Sequence, residues 1–361
     1  MNTVKTFHDV NLLEITELHE KWWCGELGRP IFHCVVHPPS PVLTGSGYAP
    51  KNFLPCNPRN MPAAEILDGK LEQLKSERYL GEGFPLFWMN FGPGVLAAMV
   101  GGCGCAQKET VWFTPGKWEG VPLEKISIQF DPDADWAKWI AELYQTATEK
   151  FENLPVVLGM TDLGGVLDVL ASLRGTQELL MDLLDAPDEI KRLLKEEREA
   201  WFTAYDYFHA LRKGPSSCWA AILGENPTYM LQSDFAYMIS PDMFAEFVQP
   251  ELQKYVNKLD HAFYHLDGKN QIPHIPHLAA IDGLDGIQWI PGAGQPPQSE
   301  WPDVLHAIED HGLKVQLIGN LTNVKNALSL LKHPENAHVW MGISENEIED
   351  AQRFMAEYGL D

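Results

Sequence analysis

Short apolar runs alternate along this chain with longer segments of helical periodicity. The runs at 30–37, 84–90, 155–160, 219–223, 262–266, 286–290, 314–318 and 338–342 read as eight strands. Between them, apolar residues recur at helical spacing over 136–151, 187–211, 241–259, 275–281, 299–311, 324–332 and 345–358. Buried parallel strands read as continuous apolar runs rather than as alternation. The repetition predicts an α/β protein, a single (β/α)8 TIM barrel over 1–361, whose active site gathers at the carboxyl ends of the strands.

Two segments stand outside the repeat. The chain to about residue 29 carries Leu12, Ile15, Leu18, Trp22 and Trp23 at helical spacing and predicts an N-terminal helical extension. Residues 102–129 alternate around Thr110-Val-Trp-Phe113 and Ile126-Ser-Ile-Gln129, which predicts a small β insertion. The Pro- and Gly-rich stretch 38–62 is long for a connection, and loops of that length often serve as covers.

Several strands run into residues suited to chemistry. The run 261–268 ends in His265 and Asp267. The third strand leads to Thr161 and Asp162, the second to Asn90, and the seventh to Asn320. Gln288 sits within the sixth. His33 and His37 share a face of the first, because alternate strand residues point one way. Each has a plainer reading: a braced loop for His265 and Asp267, a helix cap or turn for Asp234, Asp162, Asn90 and Asn320, and satisfied core imidazoles for His33 and His37.

Composition narrows the function. A formal charge of −23 argues against nucleic acid or an anionic membrane as partner and suits a cytoplasmic protein. No apolar stretch is long enough to span a bilayer, and the N-terminus does not read as a signal peptide. Six cysteines in a chain of 361 residues make no disulfide framework, and Cys103-Gly-Cys105 lacks the spacing of a zinc knuckle. The 12 Trp suggest a pocket with apolar walls, for which Trp88, Trp219, Tyr264, Trp289 and Trp340 are placed near strand ends.

The run Gln232-Ser-Asp-Phe-Ala-Tyr-Met-Ile-Ser-Pro-Asp-Met-Phe-Ala-Glu-Phe-Val-Gln-Pro250, with Met181-Asp-Leu-Leu-Asp-Ala-Pro-Asp188 and the His-x-x-Gly at His265–Gly268, resembles the uroporphyrinogen decarboxylase superfamily. That resemblance implies a (β/α)8 barrel with its site at the top, and homodimers by analogy. It also places Asp234 beside His265 and Asp267 as a catalytic residue.

The branches of the superfamily differ in the residues they need. Porphyrinogen decarboxylases resemble one another in an Arg-rich first strand and an Asp after the second; here the corresponding positions hold Phe32-His-Cys-Val-Val-His37 and Asn90. Zinc methyltransferases resemble His-x-Cys-Gly after the fifth strand with a later Cys, where this chain has His265-Leu-Asp-Gly268 and Trp340-Met-Gly-Ile343. His265 and Asp267 are an incomplete zinc set, and a harder site completed by Asp234 or Asp162 stays open.

The branch that fits best moves a methyl group from a small, methoxylated aromatic compound to the cobalt of a corrinoid. Because no cobalt-binding Asp-x-His-x-x-Gly run is present, the corrinoid (cobalamin) would arrive on a partner protein. His265, Asp267 and Asp234 would then act on the leaving atom, with Asn90, Trp88, Asp162, Tyr264, Gln288, Trp289 and Trp340 around the substrate. Two alternatives remain: a carboxy-lyase acting on a tetrapyrrole or small aromatic acid, and a non-catalytic corrinoid-binding barrel.

Overall fold

Most of the apolar runs become parallel strands. The computed structural model describes residues 3–39, 51–57 and 61–360, so most of the Pro- and Gly-rich stretch 38–62 lies outside the described residues. The strands are β1 (Ile31–Val36), β2 (Arg78–Gly81), β3 (Leu86–Trp88), β4 (Cys103–Ala106), β5 (Val111–Thr114), β6 (Val157–Gly159), β7 (Thr228–Gln232), β8 (His261–Asp267), β9 (Gly286–Ile290), β10 (Lys314–Gly319) and β11 (Ala337–Ile343). A seven-stranded sheet runs in the order β2-β1-β11-β10-β9-β8-β7, parallel throughout except for the antiparallel β1–β2 pair. β3 and β6 form a separate parallel pair, and β4 and β5 a hairpin. The architecture is mixed α/β with a largely parallel sheet.

The repeat predicts one continuous ring, but the ladders among the described residues stop at two seams. At the first, β2 folds back against β1, with Leu80 opposite Cys34, and so takes the edge that β3 would have paired. At the second, the edge of β6 away from β3 meets the connecting chain. The Met160 N–H donates to the Ser217 carbonyl at 2.8 Å, and the Arg212 guanidinium donates to the Leu158 carbonyl.

The expected fourth strand at 219–223 is not a strand. Ala221 there has a φ of 56°, in the left-handed region that breaks a ladder. The fourth parallel strand is β7, eight residues beyond Ala220, where Thr, Tyr, Met and Leu precede Gln232. The expected β insertion is shorter than 102–129. Only the β4–β5 hairpin is extended, and Leu123–Lys125 is a helical turn followed by chain without ladder partners. The helix expected at 241–259 is interrupted by a π turn, Phe244–Val248, before Gln249–Val256. Pro250 lies in the first turn of the second piece, where its missing N–H is tolerated.

The N-terminal helix, Leu12–Trp23, starts at Asn11, whose side chain accepts from the Glu14 N–H at 3.3 Å. Its Trp23 stacks on His261, the first residue of β8, at 4.1 Å between rings, and Trp22 packs on Phe263. This helix therefore covers the amino ends of the strands and leaves the carboxyl ends to the site. No helix among the described residues is long and apolar enough to cross a membrane.

Candidate active site

One register of the sheet is polar. Gln232 on β7 lies opposite His265 on β8, His265 opposite Gln288 on β9, Gln288 opposite Gln316 on β10, and Gln316 opposite His338 on β11. His265, Gln288, Gln316 and His338 stand between apolar neighbours on their strands, Gln232 ends β7, and all but His265 are buried. Buried polar groups in such a layer must bond to each other.

Their hydrogen bonds have a direction. The Ala220 carbonyl can only accept, so the group 2.7 Å from it on Gln316 is the amide nitrogen. The same nitrogen donates to Nδ1 of His338 at 3.1 Å, and burial pushes that ring's pKa well below the usual range, which keeps it neutral. Oε1 of Gln316 then accepts from Gln288 at 2.5 Å, and Oε1 of Gln288 accepts from Nδ1 of His265 at 2.5 Å. In the neutral ring this bond places the proton on Nδ1 and leaves the lone pair on Nε2.

Asp234, His265 and Asp267 come together at the carboxyl ends of β7 and β8. One ligand atom from each lies within 4.8 Å of the other two. His265 and Asp267 are half-buried, and Asp234 is exposed. Loss of hydration raises the Asp234 pKa; the His265 ring opposes this and the Asp267 charge adds to it.

Asp234 is held by Asp168, a residue that the sequence reading passed over. The Asp168 carboxylate accepts from the backbone N–H groups of Asp234 at 3.0 Å and Phe235 at 2.8 Å. The Asp168 pKa is raised well above the usual range, first by lost hydration and then by the Asp234 charge. The one local signal is Asp168 at the start of the helix Asp168–Arg174, where a carboxylate is an ordinary first-turn residue.

Asp162 is buried close to this group. Its carboxylate accepts from the Gly164 N–H at 2.9 Å and from the Gln232 amide at 3.1 Å. Burial lifts its pKa to about 6, the charge of Asp234 adds to the shift, and those hydrogen bonds and His265 oppose it.

The remaining predicted site residues divide into two sets. Trp88 and Trp340 line a cavity, as does Trp219, whose ring meets His265 edge-on at 5.0 Å. Gln288 faces inward but braces His265 instead of lining a cavity. Tyr264 and Trp289 are corrections. Both are fully buried on the opposite face from His265 and Gln288, because neighbouring strand residues alternate. Tyr264 donates to Gln271 at 3.0 Å, and Trp289 packs on Trp301. Asn90 is buried, and its side-chain oxygen accepts from the Gly92 N–H at 3.1 Å, as a turn former does. Asn320 caps the helix Leu321–Leu328 through the Asn323 N–H. Cys103 and Cys105 are free and exposed on β4.

A cation fits the Asp234–His265–Asp267 group on its donor chemistry. Two carboxylates and an imidazole nitrogen are donors suited to a divalent ion such as zinc, with Gln288 bonded to the imidazole at Nδ1. The mouth beside it is bounded by Tyr237, Gly268, Gly292 and the exposed Met238 in one cavity, and by Trp112, Phe113 and Gln232 in another.

No family model matches the chain, and no curated protein matches it. Among solved structures the chain is similar to a methyltransferase from Methanosarcina mazei, at 14% identity with a TM-score of 0.60, covering 95% of this chain and 97% of that one. At that identity the likeness is one of fold.

Proposed function

We propose that this chain is a methyltransferase of the uroporphyrinogen decarboxylase superfamily. In this reading its strands form an opened (β/α)8 barrel that takes a methyl group from a small methoxylated aromatic compound. The acceptor is the reduced corrinoid of a partner protein seated over the exposed Trp112, Tyr237 and Met238. The observation that carries the reading is the meeting of Asp234, His265 and Asp267 within 4.8 Å at the strand ends, with the His265 ring braced by Gln288. The fold shared with a methyltransferase supports it.

The chemistry asked of the protein is modest. The methyl carbon–oxygen bond breaks with its electron pair left on oxygen, and the methyl group passes to the acceptor. A zinc ion held by Asp234, His265 and Asp267 would supply Lewis acidity at that oxygen. Asp162, with a pKa of about 6, is suited to hold a proton for the departing oxygen up to about pH 6. Asp168 fixes the Asp234 backbone, and Gln288 fixes the His265 ring. The aromatic walls exclude water and hold the ring of the donor in place.

The test is incubation of the protein with a reduced corrinoid protein and a panel of methoxylated aromatics. Release of the free phenol together with a change in corrinoid absorbance is the expected outcome, abolished in His265→Ala. Absence of phenol from every donor, or equal turnover by His265→Ala, would overturn the reading.

A further inference from the structure

Between β1 and β3, where no ladder joins the strands, lies a cavity of about 390 Å³. His33 and Val35 reach it from one face of β1 and His37 from just past its end, and Trp88 stands at the end of β3. Trp219, Trp340 and Phe84 add aromatic wall, and Lys70 enters from the helix Ala63–Ser76.

Several nitrogens around this cavity lack a hydrogen-bond partner among the described residues. The indole Nε1 atoms of Trp88 and Trp219 and Nδ1 of His33 are buried with no hydrogen-bond partner among the described residues. His33 itself is 2% exposed. An indole N–H can only donate, so the two indoles ask for acceptor atoms that the described residues do not supply. The one carboxylate in the lining, Glu77, is already engaged: the Tyr79 hydroxyl donates to it at 3.1 Å, and His37 lies 3.7 Å away. Half-buried Lys70 makes no hydrogen bond or ion pair among the described residues, and burial lowers its pKa while Glu77 opposes that shift.

We propose that this cavity binds the body of an aromatic carboxylate, its ring between the indoles and its carboxylate facing the Lys70 ammonium. The inference rests on the methyltransferase reading in one respect, that the ligand is the methyl donor. A ring held against Trp219 lies one indole away from His265, whose own ring meets Trp219 at 5.0 Å. The donor is therefore a methoxylated benzoate rather than a neutral methoxyarene.

The test is direct binding, by calorimetry and by quenching of tryptophan fluorescence, of para-methoxybenzoate, benzoate and uncharged methoxybenzene. Wild type should bind both acids more tightly than methoxybenzene. Lys70→Met keeps the stem and loses the charge; it should weaken both acids by about ten- to a hundredfold and leave methoxybenzene unchanged. Lys70→Arg should retain acid binding. Failure of the acids to bind saturably, or equal acid affinity in Lys70→Met, would overturn the proposal. Charge-dependent binding without phenol release in the transfer assay supports the cavity assignment and counts against the methyltransferase. Phenol release from the acid at an unchanged KM in Lys70→Met does the reverse.

Discussion

Gln288 and Gln316 face each other on adjacent strands, and their amides are joined by a hydrogen bond of 2.5 Å. That bond carries the orientation set by the Ala220 carbonyl to the ring of His265. Either amide, replaced by a hydrocarbon, removes the constraint on which nitrogen of His265 keeps the proton. Gln288→Leu and Gln316→Leu should therefore lower kcat by roughly ten- to a hundredfold, with KM little changed. Nitrogen NMR of the imidazole checks the cause: wild type should show the proton on Nδ1, and both variants a mixture.

The site's excess of negative charge makes a second expectation. Asp234 and Asp267 repel each other in the native protein, and a divalent cation relieves that repulsion. Added zinc should raise the melting temperature of the wild type, since a ligand that binds only the native state stabilises it. Asp234→Asn and His265→Ala should lose most of that rise. Differential scanning fluorimetry with and without the metal makes the comparison.

Asp162 ties stability to pH with a definite sign. Its folded-state pKa of about 6 lies above the ordinary carboxylate value of 3.8, so the native chain keeps a proton that the unfolded chain releases. Its contribution is full below the unfolded value, is lost as pH rises through about 6, and is level above that. Asp162→Asn should remove this slope, so that the variant gains on the wild type as pH rises from about 4 to about 6. Urea unfolding across that range measures the gain. The rate of phenol release should fall above about pH 6 in the wild type and lose that limb in the variant.

Asp168 holds two backbone donors at once. Asp168→Ala leaves both without their acceptor and should cost roughly 1–3 kcal/mol in urea unfolding, softened by removal of a charge close to Asp234. Its activity should fall by more than its stability explains, because the Asp234 backbone is no longer fixed. Asp168→Asn, which keeps one acceptor oxygen, should recover part of both.

Periodicity made seven of the eight parallel strands legible, because β1, β3, β6, β8, β9, β10 and β11 coincide with expected apolar runs to within a residue or two. It also placed His265 and Asp267 at a strand end. The error at 219–223 came from burial without a ladder. That segment is as apolar as a strand, but its backbone turns at Ala221 and sends a carbonyl to Gln316. Tyr264 and Trp289 were set among the substrate walls for being aromatic and near strand ends. Alternation puts them on the face opposite His265 and Gln288, so knowing which face holds the site would have excluded them.

By itself, the sequence determined most of the elements. A strand needs only a few apolar residues in a row, a helix only the right spacing, and both are properties of neighbouring positions. What the tertiary structure decided was contact between distant positions. β2 displaced β3 from the edge of β1, and Ser217 met β6 where β7 would have paired. Asp168 reached Asp234 across 66 positions, and Ala220 reached Gln316 across 96. Hydrogen bonds act over about 3 Å of space whatever the separation along the chain, so no local pattern records them.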